Sequence, residues 1–208
     1  MRRIVGIIIC FWVFWACEPS NPDPVVLEYH VSEISVTKLA FDNPELSKDS
    51  TGALLFAGVK YSGFMEKVNS RGELIEVTGY FEGFLEGDML GYYPSGRKRY
   101  IRPYRNGKKQ GAHFGYYVDG AKQFHYIFEK GKSEGNHLEW FKDGSVFKDL
   151  NYKNGRPFGS QKVWRRDGKI RSNYVIRENG RRYGLMGIKR CTKLDTEKEE
   201  FDPYEGKK

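Results

Sequence analysis

Apolar and polar residues alternate with a period of two through the middle of the chain, the pattern of strands that bury one face. Phe114, Tyr116 and Val118 point one way, and His113, Gly115 and Tyr117 the other. After Asp119-Gly120 the return strand puts Phe124, Tyr126 and Phe128 on one face. Asp119-Gly120 is expected to turn the hairpin with both residues available for positive φ, which glycine adopts freely and aspartate tolerates. Asn106-Gly107, Lys130-Gly131 and Asn154-Gly155 mark the next kind of reversal, so one unit holds two strands and two turns.

That unit repeats. Gly72, Gly96, Gly120, Gly144 and Gly168 are each 24 residues apart. The same period carries Gly83, Gly107, Gly131 and Gly155, and a third series of Gly63, Gly87, Gly111, Gly135 and Gly159. It slips by one residue only in the last unit, at Gly180 and Gly184. Two aromatic columns ride on it: Tyr92, Tyr116, Trp140 and Trp164, and Tyr80, Tyr104, Phe128 and Tyr152, where Ile176 follows. A fixed period outranks local propensity and marks a repeat architecture. Five units over residues 63–182 predict an all-β protein, an elongated single-layer antiparallel meander of about ten short strands built from 24-residue hairpins. The Tyr92/Tyr116/Trp140/Trp164 column is expected to form a ladder that is first of all packing.

Composition agrees: 24 Gly, 14 Tyr and 14 Phe suit strands and tight turns. With three cysteines, of which only Cys191 remains if Cys10 is removed and Cys17 modified, no intrachain disulfide is expected and stability must come from packing. At the start, Arg2 and Arg3 precede an apolar run from Ile4 to Trp15, too short to span a bilayer as a helix, and Ala16 stands before Cys17. Phe14-Trp15-Ala16-Cys17 resembles the lipobox of bacterial lipoproteins, bulkier than usual at its first two positions. The resemblance implies a signal peptide over 1–17, acylation at Cys17, and a lipoprotein facing the periplasm or in the outer membrane. Residues 18–26 read as a solvated tether and 27–62 as an N-terminal strand cap, with β-branched Val31, Ile34 and Val36 followed by a loop from Asp42 to Gly52. Residues 183–208 read as a closing segment and a charged tail.

Gly91-Tyr92-Tyr93-Pro94-Ser95-Gly96-Arg97-Lys98 and Gly115-Tyr116-Tyr117-Val118-Asp119-Gly120-Ala121-Lys122, with Tyr104-Arg105-Asn106-Gly107-Lys108-Lys109-Gln110-Gly111, resemble the MORN-repeat family. Within it, the bacterial variant catalogued as YwqK-type antitoxins is the more similar. The resemblance covers about residues 61–190 and implies a curved antiparallel sheet that interacts with membranes or proteins and carries no catalytic residue set. An antitoxin-like inhibitor of a cognate toxin is the alternative, and it fits poorly with export.

Charge is uneven. Unit two carries net +6 and unit five net +6, against −3 in unit one. Arg97, Lys98, Arg99, Arg102 and Arg105, with Arg165 and Arg166, are the candidate contacts for an anionic envelope component or an acidic protein. The competing reading is a solvated sheet face kept from edge pairing by its cations. His113 and His137 share a repeat position and invite a zinc site, but two such rungs lie about 9.6 Å apart and lack further ligands. No metal, cofactor, small-molecule substrate or nucleic acid is expected, and no catalytic triad or phosphate loop is present in the sequence. The reading is of a non-catalytic, membrane-anchored binding or scaffolding module with an unidentified partner.

Overall fold

The computed structural model of the protein describes residues 34–187. The signal segment with Cys17, the tether, His30, Val31, Cys191 and the charged tail lie outside the described residues. The regular structure of the described residues is strand throughout, in chain order β1 (Lys38–Ala40), β2 (Leu46–Lys48), β3 (Leu54–Phe56), β4 (Val59–Lys60), β5 (Gly63–Val68), β6 (Leu74–Phe81), β7 (Phe84–Leu85), β8 (Gly87–Tyr92) and β9 (Lys98–Arg105). There follow β10 (Lys108–Lys109), β11 (Gly111–Tyr116), β12 (Lys122–Glu129), β13 (Lys132–Ser133), β14 (Gly135–Trp140), β15 (Val146–Lys153), β16 (Arg156–Trp164), β17 (Ile170–Ile176) and β18 (Arg182–Leu185). An open sheet runs β1-β5-β6-β8-β9-β11-β12-β14-β15-β16-β17-β18, with β7, β10 and β13 as short extensions on β6, β9 and β12. From β5 onward the strands pair antiparallel in chain order, with only the short β7, β10 and β13 lying between some partners, the meander that short connections dictate.

The two turn series are chemically different. At one end of the strands Glu82-Gly83, Asn106-Gly107, Lys130-Gly131 and Asn154-Gly155 all have both residues at positive φ, which defines type I′ turns. The N–H of the first residue is capped from the preceding unit: Ser62 Oγ accepts from Glu82 at 2.9 Å, Glu86 from Asn106 at 2.7 Å, Gln110 from Lys130 at 2.9 Å and Glu134 from Asn154 at 2.7 Å. The glycine N–H then donates to a carbonyl 22 residues back, on Tyr61, Leu85, Lys109 and Ser133 in turn. Lys130 holds φ at 49°, a conformation that costs a side chain about 1 kcal/mol and suits asparagine better. Lys130→Asn is therefore expected to stabilise the chain by about 0.5–1 kcal/mol, visible as a higher urea midpoint at unchanged slope.

At the other end the connections are three residues long. Gly120 donates to Tyr117 and Tyr117 to Ala121, and the same pair of bonds recurs around Gly72, Gly96, Gly144 and Gly168. Here only the glycine takes positive φ. This corrects the expected use of Asp119: its backbone stays right-handed, and its carboxylate instead accepts the Ala121 N–H at 3.1 Å. The turn is a type I turn closed by a glycine bulge.

Residues 42–52, expected to be a loop, contain β2. Asx turns at Asn43 and Asp49 bracket it, and Leu46 packs against the apolar cluster, so a polar-looking segment is short strand. With β3 and β4 it forms a three-stranded sheet. The β3–β4 hairpin has its own positive-φ pair, Ala57-Gly58. Tyr61 N donates to Leu54 O as Glu86 N does to Gly79 O, so this hairpin is a divergent half-unit set one residue out of period. Leu54, Tyr61 and Met65 form the buried apolar cluster, with Leu39, Leu46, Phe56 and Tyr80 packed against it. Strand β1 lies parallel to β5 at this edge of the large sheet.

Candidate interaction surface

Beyond that cluster the sheet is packed by one face of its own side chains. Register places Met65, Met89, His113, His137 and Gln161 at equivalent central positions, beside Thr78, Arg102, Tyr126, Leu150 and Tyr174. His113 and Gln161 are 2% and 1% exposed. The ring contacts run through this face: Tyr104 to His113 at 5.8 Å between centroids, His113 to Phe128 at 4.6 Å, Phe128 to His137 at 5.4 Å and His137 to Tyr152 at 4.5 Å. Phe128 thus stands between the two imidazoles. Tyr100 lies over Gly91 and Phe124 over Gly115, where a Cβ would collide with the ring. In unit four the corresponding pair is Glu139 and Lys148, an ion pair at 3.1 Å.

Three of the buried polar side chains, all in one repeat position, close backbone bonds. His113 Nε2 donates to Pro103 O at 2.9 Å, His137 Nε2 to Ile127 O at 2.8 Å, and Gln161 Nε2 to Asn151 O at 2.7 Å. These carbonyls are themselves 24 residues apart. A carbonyl only accepts, so each imidazole carries its proton on Nε2. Burial pushes His113 down to about 4, against the smaller upward pull of its bond to Pro103, and lowers His137 in the same way. Tyr100 donates to Glu76 and Tyr126 donates to Glu139. Burial, then the neighbouring carboxylate, raises both phenols, Tyr100 to about 12. Among the described residues no three His, Cys, Asp or Glu side chains are grouped to hold a metal ion.

The Tyr92, Tyr116, Trp140 and Trp164 column is half-buried, and each member sits where the strand register shifts. Its backbone serves the array: Tyr93 OH donates to Tyr116 O and Tyr117 OH to Trp140 O, both at 2.8 Å, tying the Tyr93 and Tyr117 tips each to the next hairpin. Sequence reasoning missed that a continuous run of ring contacts follows the interleaved histidine column, beside separate pairs such as Phe114–His125 at 4.8 Å and Phe141–Phe147 at 4.7 Å. The signal was available, since His113, His137 and Gln161 share one register and all have an N–H to give.

The basic residues of unit two are dispersed. Arg97, Lys98 and Arg99 gather near the glycine-bulge turns, where Arg97 donates to Val118 O at 3.3 Å and Arg99 lies over Tyr93. Strand alternation puts Arg102 on the histidine face, over Tyr100 at 4.2 Å and near Phe124, while Arg105 ends the strand at the type I′ turns. Arg165 pairs with Asp167 at 3.3 Å and Arg166 lies over Phe141. The two ends of the strands therefore differ. At the glycine-bulge end three cations meet acids, in Arg71–Glu73, Lys142–Asp119 and Arg165–Asp167, while Lys98, Arg99, Arg166 and Lys169 are exposed without an ion pair to a described residue. At the type I′ end Arg105, Lys108, Lys109, Lys130, Lys132, Lys153 and Arg156 are all exposed and form no ion pair with a described residue.

Comparison of the chain with protein-family models and with curated proteins finds no match.

Proposed function

We propose that the chain is a lipid-anchored MORN-type repeat protein of the bacterial envelope, a binding or scaffolding module that catalyses no reaction. The observation that carries this reading is how the polar side chains are used. His113, His137 and Gln161 are spent on the Pro103, Ile127 and Asn151 carbonyls, and the two imidazoles are wedged between rings. What stays exposed is a set of cations displayed on a repeating frame, which suits attraction of an anionic envelope component or acidic protein surface. The lipobox-like start supports attachment through Cys17.

The anchor has a direct test. Cells fed an alkyne fatty acid should label the wild-type protein and fail to label Cys17→Ala; an unlabelled wild type, or label surviving the substitution, refutes the anchor. Crosslinking in intact cells followed by mass spectrometry tests the binding role, which predicts a reproducible macromolecular partner crosslinked to the array.

A further inference from the structure

The cations at the type I′ end form a continuous strip because each turn stacks on the hairpin before it. Gly131 lies against the Lys108 side chain, its would-be Cβ 3.7 Å from Lys108 Cβ, and Gly155 lies against Lys132 in the same way at 3.5 Å. The order along the edge is thus Lys108, then the Lys130 turn, then Lys132, then the Asn154 turn followed by Arg156. Two steps of two strands each, at about 4.8 Å per strand, give a strip about 19 Å long. Its acidic interruptions are few: Glu129 is exposed, whereas Glu134 is held by the Asn154 N–H.

We infer that this strip is a docking edge for a linear acidic polysaccharide, an inference that rests on the array being a binding module. Backbone recognition is closed there. The N–H groups of Asn106, Lys130 and Asn154 are capped by Glu86, Gln110 and Glu134, and those of Gly107, Gly131 and Gly155 are bonded to Leu85, Lys109 and Ser133. A peptide partner would add strand pairing or fill side-chain pockets, and the turn tips present no unpaired backbone ladder for it. Lysines on flexible stems offer point charges without a fixed fork, which suits carboxylates or sulfates spaced along a sugar chain and read by charge alone. A flat anionic membrane, by contrast, would draw on cations spread over a plane rather than on a single file.

The test uses the full chain on a sensor bearing polyuronate, with polyglutamate and vesicles containing anionic phospholipid as parallel arms. Wild type should bind polyuronate, with affinity falling steeply as salt rises. K108E/K130E/K132E should lose at least tenfold, whereas the opposite-edge variant R97E/R99E/R166E should stay within about threefold. Glutamate at position 130 is compatible with the turn, since Glu82 occupies the equivalent site at φ 49°; unchanged circular dichroism confirms folding of each variant. Equal losses in the two variants, or no polyuronate binding by wild type, overturn the inference. Tighter binding of polyglutamate or vesicles than of polyuronate also overturns it, yet leaves the binding-module reading standing. That reading fails separately, if crosslinking finds no partner on the array.

Discussion

Gly83→Ala is expected to destabilise the protein by about 2–4 kcal/mol and to loosen the three-stranded N-terminal sheet from the array. Two costs add at this residue. Gly83 has φ 83°, which a side chain adopts at a penalty of about 1–2 kcal/mol. The new Cβ would also fall 2.8 Å from Leu54 O and from Ala53 Cβ, and 3.0 Å from Leu54 N. Backbone cannot rotate aside as a ring can, so the contact must be relieved by separating β3 from the turn. That separation breaks the bond from Leu54 N to Gly83 O and strains the one from Gly83 N to Tyr61 O, both 2.8 Å. Gly120→Ala is the control: φ is 93°, but nothing lies within 4 Å of its Cβ, so only the backbone penalty of about 1–2 kcal/mol should appear. Urea unfolding measures both, and hydrogen exchange at Leu54 and Tyr61 reports the local loosening. Equal costs for the two substitutions would show that Gly83 has no packing role.

The second large effect is a dependence on pH. His113 titrates near 4 in the folded protein and near 6.5 in an unfolded chain, because burial disfavours the charged ring and Arg102 and Lys109 add to that. The sign follows from proton counting: below about pH 6.5 the unfolded chain takes up a proton that the folded one refuses. Stability is unaffected by this group above pH 7, falls as pH drops through 6, and has lost up to roughly 3 kcal/mol near pH 4. His137 contributes in the same direction. Gln161 shows the remedy already present, an amide in the same repeat position bonded to the equivalent carbonyl at 2.7 Å. His113→Gln/His137→Gln should therefore remain folded at pH 7 and flatten the stability curve between pH 7 and 4. If double substitution leaves the slope in that window unchanged, the imidazoles are not its source.

Much of this architecture is legible in the residues. Glycine at fixed intervals, joined to alternating rings, dictates hairpins that add neighbour by neighbour, and the meander follows from that alone. The turn types are less legible. Asp-Gly and Asn-Gly look alike as dipeptides, but Asp119 is the second central residue of a type I turn whereas Asn106 is the first of a type I′ turn, and loop length decides between them. The half-unit at β3–β4 escaped notice because its Ala57-Gly58 is out of step by one residue and has an atypical first residue for the turn. The cationic strip was hidden for a different reason. Lys108, Lys130, Lys132 and Arg156 are scattered in sequence and become neighbours only when turns stack, whereas the dense run from Arg97 to Arg105 is divided by strand alternation between two faces and two ends.

The bond from Gly83, Gly107, Gly131 and Gly155 to a carbonyl 22 positions earlier ties each of the first four units to the segment before it in an identical way. Copying or excising a whole block would thus recreate the same junction at the splice, while a deletion one residue short would leave a tip facing the wrong partner. Gene duplication can therefore lengthen or shorten such a chain in whole modules without redesigning any joint, so that reach is a heritable variable largely decoupled from foldability.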